Sequence, residues 1–127
     1  MSLIRRSGWT VFVLLSVLML LIGVSGPEGP TGANTPLGAF VSGDNSEAAL
    51  ALKFRGTVVL GMALFGIAIA VFGLRRQHAW AWWFSWYWPV FFALHTVAFG
   101  TVVPDLPLAV VAALTLLASR PVSGATS

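Results

Sequence analysis

The chain has 127 residues, of which 57% are hydrophobic and 9% charged, with a mean hydropathy of +0.89 and a formal net charge of +3. Soluble domains carry roughly a quarter of their residues as charged side chains, so this balance argues against a water-soluble fold and, with no basic stripe on a soluble face, against nucleic-acid binding. The lack of cysteine excludes disulfides, thiolate metal sites, iron–sulfur clusters and thiol redox chemistry.

Arg5 and Arg6 precede an apolar run from Trp9 to Val24, which fits a first transmembrane helix or the hydrophobic middle of a secretory signal. Sixteen to eighteen helical residues span roughly 24 to 27 Å, longer than a usual signal core. Val24-Ser25-Gly26, followed by Pro27, is a poor cleavage site, so a retained helix over about 8–24 is expected. Residues 25–43 hold three prolines and five glycines, a composition that predicts an outer loop without regular structure. Glycine at every third position from Gly26 to Gly32 matches collagen, but so few triplets predict an extended polyproline-like linker instead. Leu37, Phe40 and Val41 form an apolar cluster expected to anchor this loop.

Asp44-Asn45-Ser46-Glu47 reads as a capping box opening a helix that can run to Leu74. That is about 30 residues or 45 Å, so the spanning part is placed at 56–74. Ala63, Gly66, Ala70 and Gly73 recur at three- and four-residue spacing, a small-residue stripe that lets a neighbouring helix approach closely. Packing within the chain is expected ahead of a dimer contact. Arg75 to His78 form a hairpin turn, and a third span follows over 79–99. Pro89 within it predicts a bend near Ser85, whose hydroxyl can relieve the freed carbonyl.

Trp80, Trp82 and Trp83 read as an interfacial belt, whereas at least one of Trp86, Tyr87 and Trp88 should face the interior. Residues 100–104 make an outer turn, Asp105 is expected to cap a short last helix over 105–119, and the tail 122–127 is expected to be irregular. Arg5, Arg6, Arg75, Arg76 and Arg120 fall on one side of these spans. Lys53, Arg55 and the four acidic residues Glu28, Asp44, Glu47 and Asp105 fall on the other. Counting basic residues places both termini in the cytoplasm.

The strongest functional pattern is Phe84, Trp88, Phe91 or Phe92, His95 and Phe99, which three- and four-residue spacing aligns along one face of the third span. An ionisable residue inside a span is costly unless paired, so His95 among aromatic rings marks a candidate pocket for a flat apolar ligand such as a quinone, a sterol-like lipid or an acyl chain. The simpler account has the imidazole satisfied by a backbone carbonyl or by Thr96, Thr101 or Thr115. His78 and His95 stand seventeen residues apart, roughly 25 Å along a helix, and cannot share one metal or haem iron. No carboxylate lies within the spans to relay protons, and Asp105 with Thr101 and His95 lacks the elbow motif of a nucleophilic triad. No catalytic residue, metal or cofactor is therefore assigned.

The run from Ala48 to Gly56, the Arg75-Arg76 turn, and the tryptophan-rich third helix with Pro89 and His95 resemble small bacterial four-helix membrane proteins, DoxX-like in layout and mostly without assigned function. The resemblance covers about residues 44–118 and implies no reaction. The expectation is thus an all-α integral membrane four-helix bundle of a single domain over 1–127, multi-pass in the inner (plasma) membrane. Its first functional reading is a non-enzymatic accessory or scaffold component, with the bilayer and a homo-oligomer or larger membrane complex as partners. The alternative reading is a binder or transformer of an apolar small molecule around His95.

Overall fold

The computed structural model of the chain describes residues 2–26 and 28–122. Except for Val122, the tail expected to be irregular lies outside them. Among the described residues the chain is helical, with α1 (Ser2–Val24), α2 (Pro36–Ser42), α3 (Glu47–Ala68) continued by a π-helical segment (Ile69–Leu74), α4 (Ala79–Ser85), α5 (Tyr87–Phe99) and α6 (Asp105–Ala118). The only strand-like feature described is an isolated antiparallel bridge between Gly26 and Gly29. By length and composition two helices could cross a membrane: Leu3–Val24, with 22 residues, and Glu47–Leu74, with 28.

Two compact units divide the chain, one of Met1–Val13 with Gly66–Ser127 and one of Leu14–Phe65, and the boundaries fall inside α1 and α3.

In the Leu14–Phe65 unit the glycine- and proline-rich stretch is more ordered than its composition predicts. It holds a short helix, α2, where no regular element is expected, and a tight turn in place of an extended linker. Gly26 and Gly29 exchange backbone hydrogen bonds of 3.4 and 3.0 Å, which Gly29 permits by adopting φ 90°. Thr35 then caps α2. Its hydroxyl accepts from the Gly38 N–H at 3.1 Å and lies 2.8 Å and 2.7 Å from the Pro30 and Gly32 carbonyls, while Pro36 occupies the first helical position. Gly38 lies so close to the Gly32 carbonyl that no Cβ fits there. Pro36 in turn packs on Gly56 of α3, where an added Cβ would come within 2.8 Å of the Pro36 ring. Of the predicted apolar anchor, Leu37, Phe40 and Val41 are all exposed, and the Lys53 ammonium stands 5.9 Å above the Phe40 ring.

The start of α3 differs from the predicted capping box by two residues. Ser46, not Asp44, offers its hydroxyl to the helix, accepting from the Ala49 N–H at 3.3 Å. Asp44 sits one layer out and accepts from the Ser46 N–H and hydroxyl at 2.9 and 3.0 Å. Glu47 is then the first helical residue rather than the third.

In the other unit α5 packs against α6, and α4 against the π-helical segment. The predicted bend near Ser85 is a break: α4 ends there and α5 begins at Tyr87, with Trp86 between them. Pro89 has no N–H to offer the Ser85 carbonyl, and the chain turns through a Trp86 N–H to Trp83 carbonyl bond of 3.2 Å. The Ser85 hydroxyl does not serve the freed carbonyl; it donates back to the Ala81 carbonyl at 2.7 Å. Asp105 is the first residue of α6, with Pro104 at the cap position, so the predicted cap is displaced by one residue.

Candidate functional site

The sequence places six residues on one aromatic line, and the structure resolves them into three groups. On α5, Trp88 and Phe92 are one turn apart and buried, at 4% and 0% exposure, with rings stacked at 6.0 Å. Phe91, His95 and Phe99 form a second row, rotated toward the helix exterior. Their rings are tilted against each other at 4.8 Å (Phe91 to His95) and 4.7 Å (His95 to Phe99), and Phe91 meets Phe92 edge-on at 5.4 Å. Phe84 belongs to neither row: it lies on α4, is exposed, and pairs with Trp80 at 6.3 Å. The break at Trp86 explains the separation, because it interrupts the helical phase on which the single line depends.

His95 is half-buried between Phe91 and Phe99. The threonines considered as its partners direct their hydroxyls to the backbone: Thr96 donates to the Phe92 carbonyl at 3.0 Å and Thr115 to the Val111 carbonyl at 2.7 Å. The Thr101 hydroxyl bonds the Asp105 carboxylate and lies 3.5 Å from the His95 main-chain carbonyl. Thr101 and Asp105 thus come together, joined to each other through the hydroxyl. Among the described residues no group of three His, Cys, Asp or Glu side chains is gathered as a metal site. The packing residues Ala63, Gly66, Ala70 and Gly73 are each buried. At Gly73 a Cβ would overlap the Ala81 methyl and come within 3.1 Å of the Trp80 indole, so α4 can lie against the π-helical segment there only where a side chain is absent.

A second region, not singled out by the sequence as a site, is the arginine-bearing turn between that segment and α4. The last helical turns end in a Schellman arrangement, with the His78 N–H on the Gly73 carbonyl at 3.1 Å and the Gln77 N–H on the Leu74 carbonyl at 3.0 Å. Gln77 occupies the left-handed position at φ 61°, where glycine is usual. Its side-chain amide donates to the Arg5 carbonyl at 3.0 Å, tying the turn to α1. The Arg75 guanidinium lies 5.5 Å over the Trp9 ring, and Arg120 stands 6.0 Å over the Trp82 ring.

Trp82, expected in an interfacial belt, is instead buried, and its indole N–H donates to the Leu116 carbonyl at 2.8 Å. That carbonyl, near the end of α6, also accepts from the Ser119 N–H at 3.2 Å. Trp80 and Trp83 remain exposed. Beside this turn Val71, Phe72, Arg75 and Arg76 line a part-open cleft of about 360 Å³. Their spacing of three to five residues was visible in the sequence; the π-helical winding, marked by the Arg75 N–H bonding the Ala70 carbonyl at 2.9 Å, was not.

No family model, curated protein or solved structure matches the chain.

Proposed function

We propose that the chain is a multi-pass protein of the inner (plasma) membrane that crosses four times, at α1, at the later part of α3 with its π-helical segment, at α4 with α5, and at α6. Both termini lie in the cytoplasm, and the protein acts as a non-enzymatic accessory or scaffold component. One observation carries this reading: large apolar side chains are exposed on every long helix, among them Leu21 at 58%, Leu64 at 60%, Val97 at 85% and Leu117 at 61%. In water each such residue would forfeit roughly 1.5 to 3 kcal/mol of possible burial, whereas in lipid it forfeits nothing. Apolar exposure on this scale belongs to a membrane or a partner. The five arginines at one set of helix ends supply the orientation. Gly73 of the small-residue stripe is taken up by Ala81 and Trp80, which leaves the lipid-facing sides for a partner.

The test combines extraction and topology. The chain should stay with membranes in alkaline carbonate, a C-terminal reporter should be active only in the cytoplasm, and mild-detergent purification should yield a second polypeptide or a homo-oligomer. Carbonate release, or a C-terminal reporter active only outside the cell, overturns the reading.

A second reading is favoured by the position of His95 between two rings: a flat apolar ligand held beside α5. It expects a quinone or lipid to copurify and to be lost from a folded His95→Ala protein. Copurification of a polypeptide with no such ligand decides for the scaffold.

A further inference from the structure

Resting on the membrane reading, we infer that the cleft lined by Val71, Phe72, Arg75 and Arg76 binds the phosphate of an anionic phospholipid, with an acyl chain laid along Phe72. The cleft is about 360 Å³, within the range of small-ligand sites of roughly 300 to 1,000 Å³. Two of its four lining residues are guanidinium groups, whose planar donor forks match phosphate oxygens in pairs. The other two are apolar, and Phe72 is 61% exposed. A soluble anion would use the arginines and leave Phe72 unexplained, whereas a headgroup joined to a hydrocarbon chain uses both.

Charge points the same way. Arg75 is steadied over the Trp9 ring, the Gln77 amide holds the Arg5 main chain at the turn, and Arg120 lies over Trp82, so the arginine-bearing segments of α1 and α6 are tied to the turn and α4. His78 is the other titratable group there. Asp105 opens α6, about 20 Å along the helix from Arg120. Among the described residues no carboxylate pairs with these arginines, and an anionic headgroup supplies the countercharge. Zwitterionic lipids bring their own cation to the site and are disfavoured. Clusters of this kind at the cytoplasmic membrane face attract anionic headgroups.

The full chain would be placed in nanodiscs of equal phosphatidylglycerol and phosphatidylcholine, and the lipid retained per chain on release read by native mass spectrometry. Phosphatidylglycerol should be retained at least about tenfold over phosphatidylcholine. The R75Q/R76Q protein should lose roughly thirtyfold, since each basic residue near an anionic surface contributes about fivefold. Arg55→Gln should leave retention unchanged, and millimolar inorganic phosphate should not displace the lipid. Equal retention of the two lipids, full retention by a folded R75Q/R76Q protein, or displacement by inorganic phosphate would each overturn the lipid site. If the double variant does not fold, Phe72→Ala at its exposed position and the wild-type selectivity decide. Release by alkaline carbonate would sink the membrane reading itself; a chain that stays in membranes yet retains no anionic lipid sinks only this inference.

Discussion

The turn around Gln77 and the loop around Thr35 are both short breaks between helices, yet they are held in opposite ways. At the Gln77 turn the deciding contacts reach far along the chain: Gln77 to Arg5, Arg75 to Trp9, Trp82 to Leu116 and Arg120 to Trp82. In the loop they are local, with Thr35 on Pro30, Gly32 and Gly38, Ser46 on Asp44, and Lys53 on the Asp44 and Asn45 oxygens. Long-range contacts close large loops and form only with tertiary structure, whereas local ones can persist in a fragment. Damage at the turn should therefore reach the helices that meet there, and damage at the loop should stay in the loop.

The hardest test of that contrast is Gly73→Val. A branched side chain at a point where even a Cβ overlaps Ala81 must drive α4 off the π-helical segment, at a cost of about 3 kcal/mol. The expected outcome is a large drop in the thermal midpoint in detergent; an unchanged midpoint would mean that α4 does not lie on Gly73. Next comes a matched pair of tryptophans. Trp82→Phe removes the indole bond from the Leu116 carbonyl, which keeps the Ser119 N–H, and beyond the change in ring volume should cost about 0.5 to 1.5 kcal/mol. Trp86→Phe removes a buried indole N–H that has no hydrogen-bond partner among the described residues, so its loss should be smaller by about that amount. Equal losses for the two would show that ring volume, not the carbonyl bond, holds α6 to α4.

These residues also mark how much could be read in advance. Helical content, the hairpin at Arg75 to His78, the disruption near Ser85 and the close approach at Gly73 all follow from patterns a few residues long: apolar runs, paired arginines, a proline, and glycine at helical spacing. What was missed depends on partners distant in sequence or on phase. Trp82 looks like a belt residue until the Leu116 carbonyl is placed beside it. Phe84 seems aligned with His95 until the break at Trp86 turns it away. Inside the loop the difficulty is different, because glycine and proline there serve a compact turn and a capped short helix, and composition alone cannot separate that arrangement from an extended linker. The acceptor at Thr35 followed by Pro36 was the available signal.

The loop side of the comparison is sharpened by Thr35→Val, which keeps the shape of the residue and deletes its hydroxyl. Gly38 loses its acceptor and the cap of α2 is gone, at about 1 to 2 kcal/mol. Amide exchange should quicken across α2 while protection around Gln77 and Trp82 is unchanged. Faster exchange at both places would erase the distinction between a locally held loop and a turn held over long range.

The smallest effect expected is a response to acid confined to Asp44. Its carboxyl is held below the ordinary value of 3.8 first by the Ser46 N–H, then by the Ser46 hydroxyl, with a lesser contribution from the charge of Lys53. A carboxyl group whose pKa is depressed in the folded chain lends its full stabilisation above the unfolded pKa and loses it as pH falls through the folded value. The Asp44–Ser46 turn should therefore be intact at neutral pH and loosen only below about pH 3.8. Amide exchange at Ser46 and Ala49 should rise in that range in the native protein, and in an Asp44→Asn protein the pH dependence should vanish. Persistence of the same acid response in Asp44→Asn would assign it to another group. Because the Asp44 carboxylate is solvent-exposed and takes its hydrogen bonds from Ser46, the loosening should leave the Gln77 turn undisturbed.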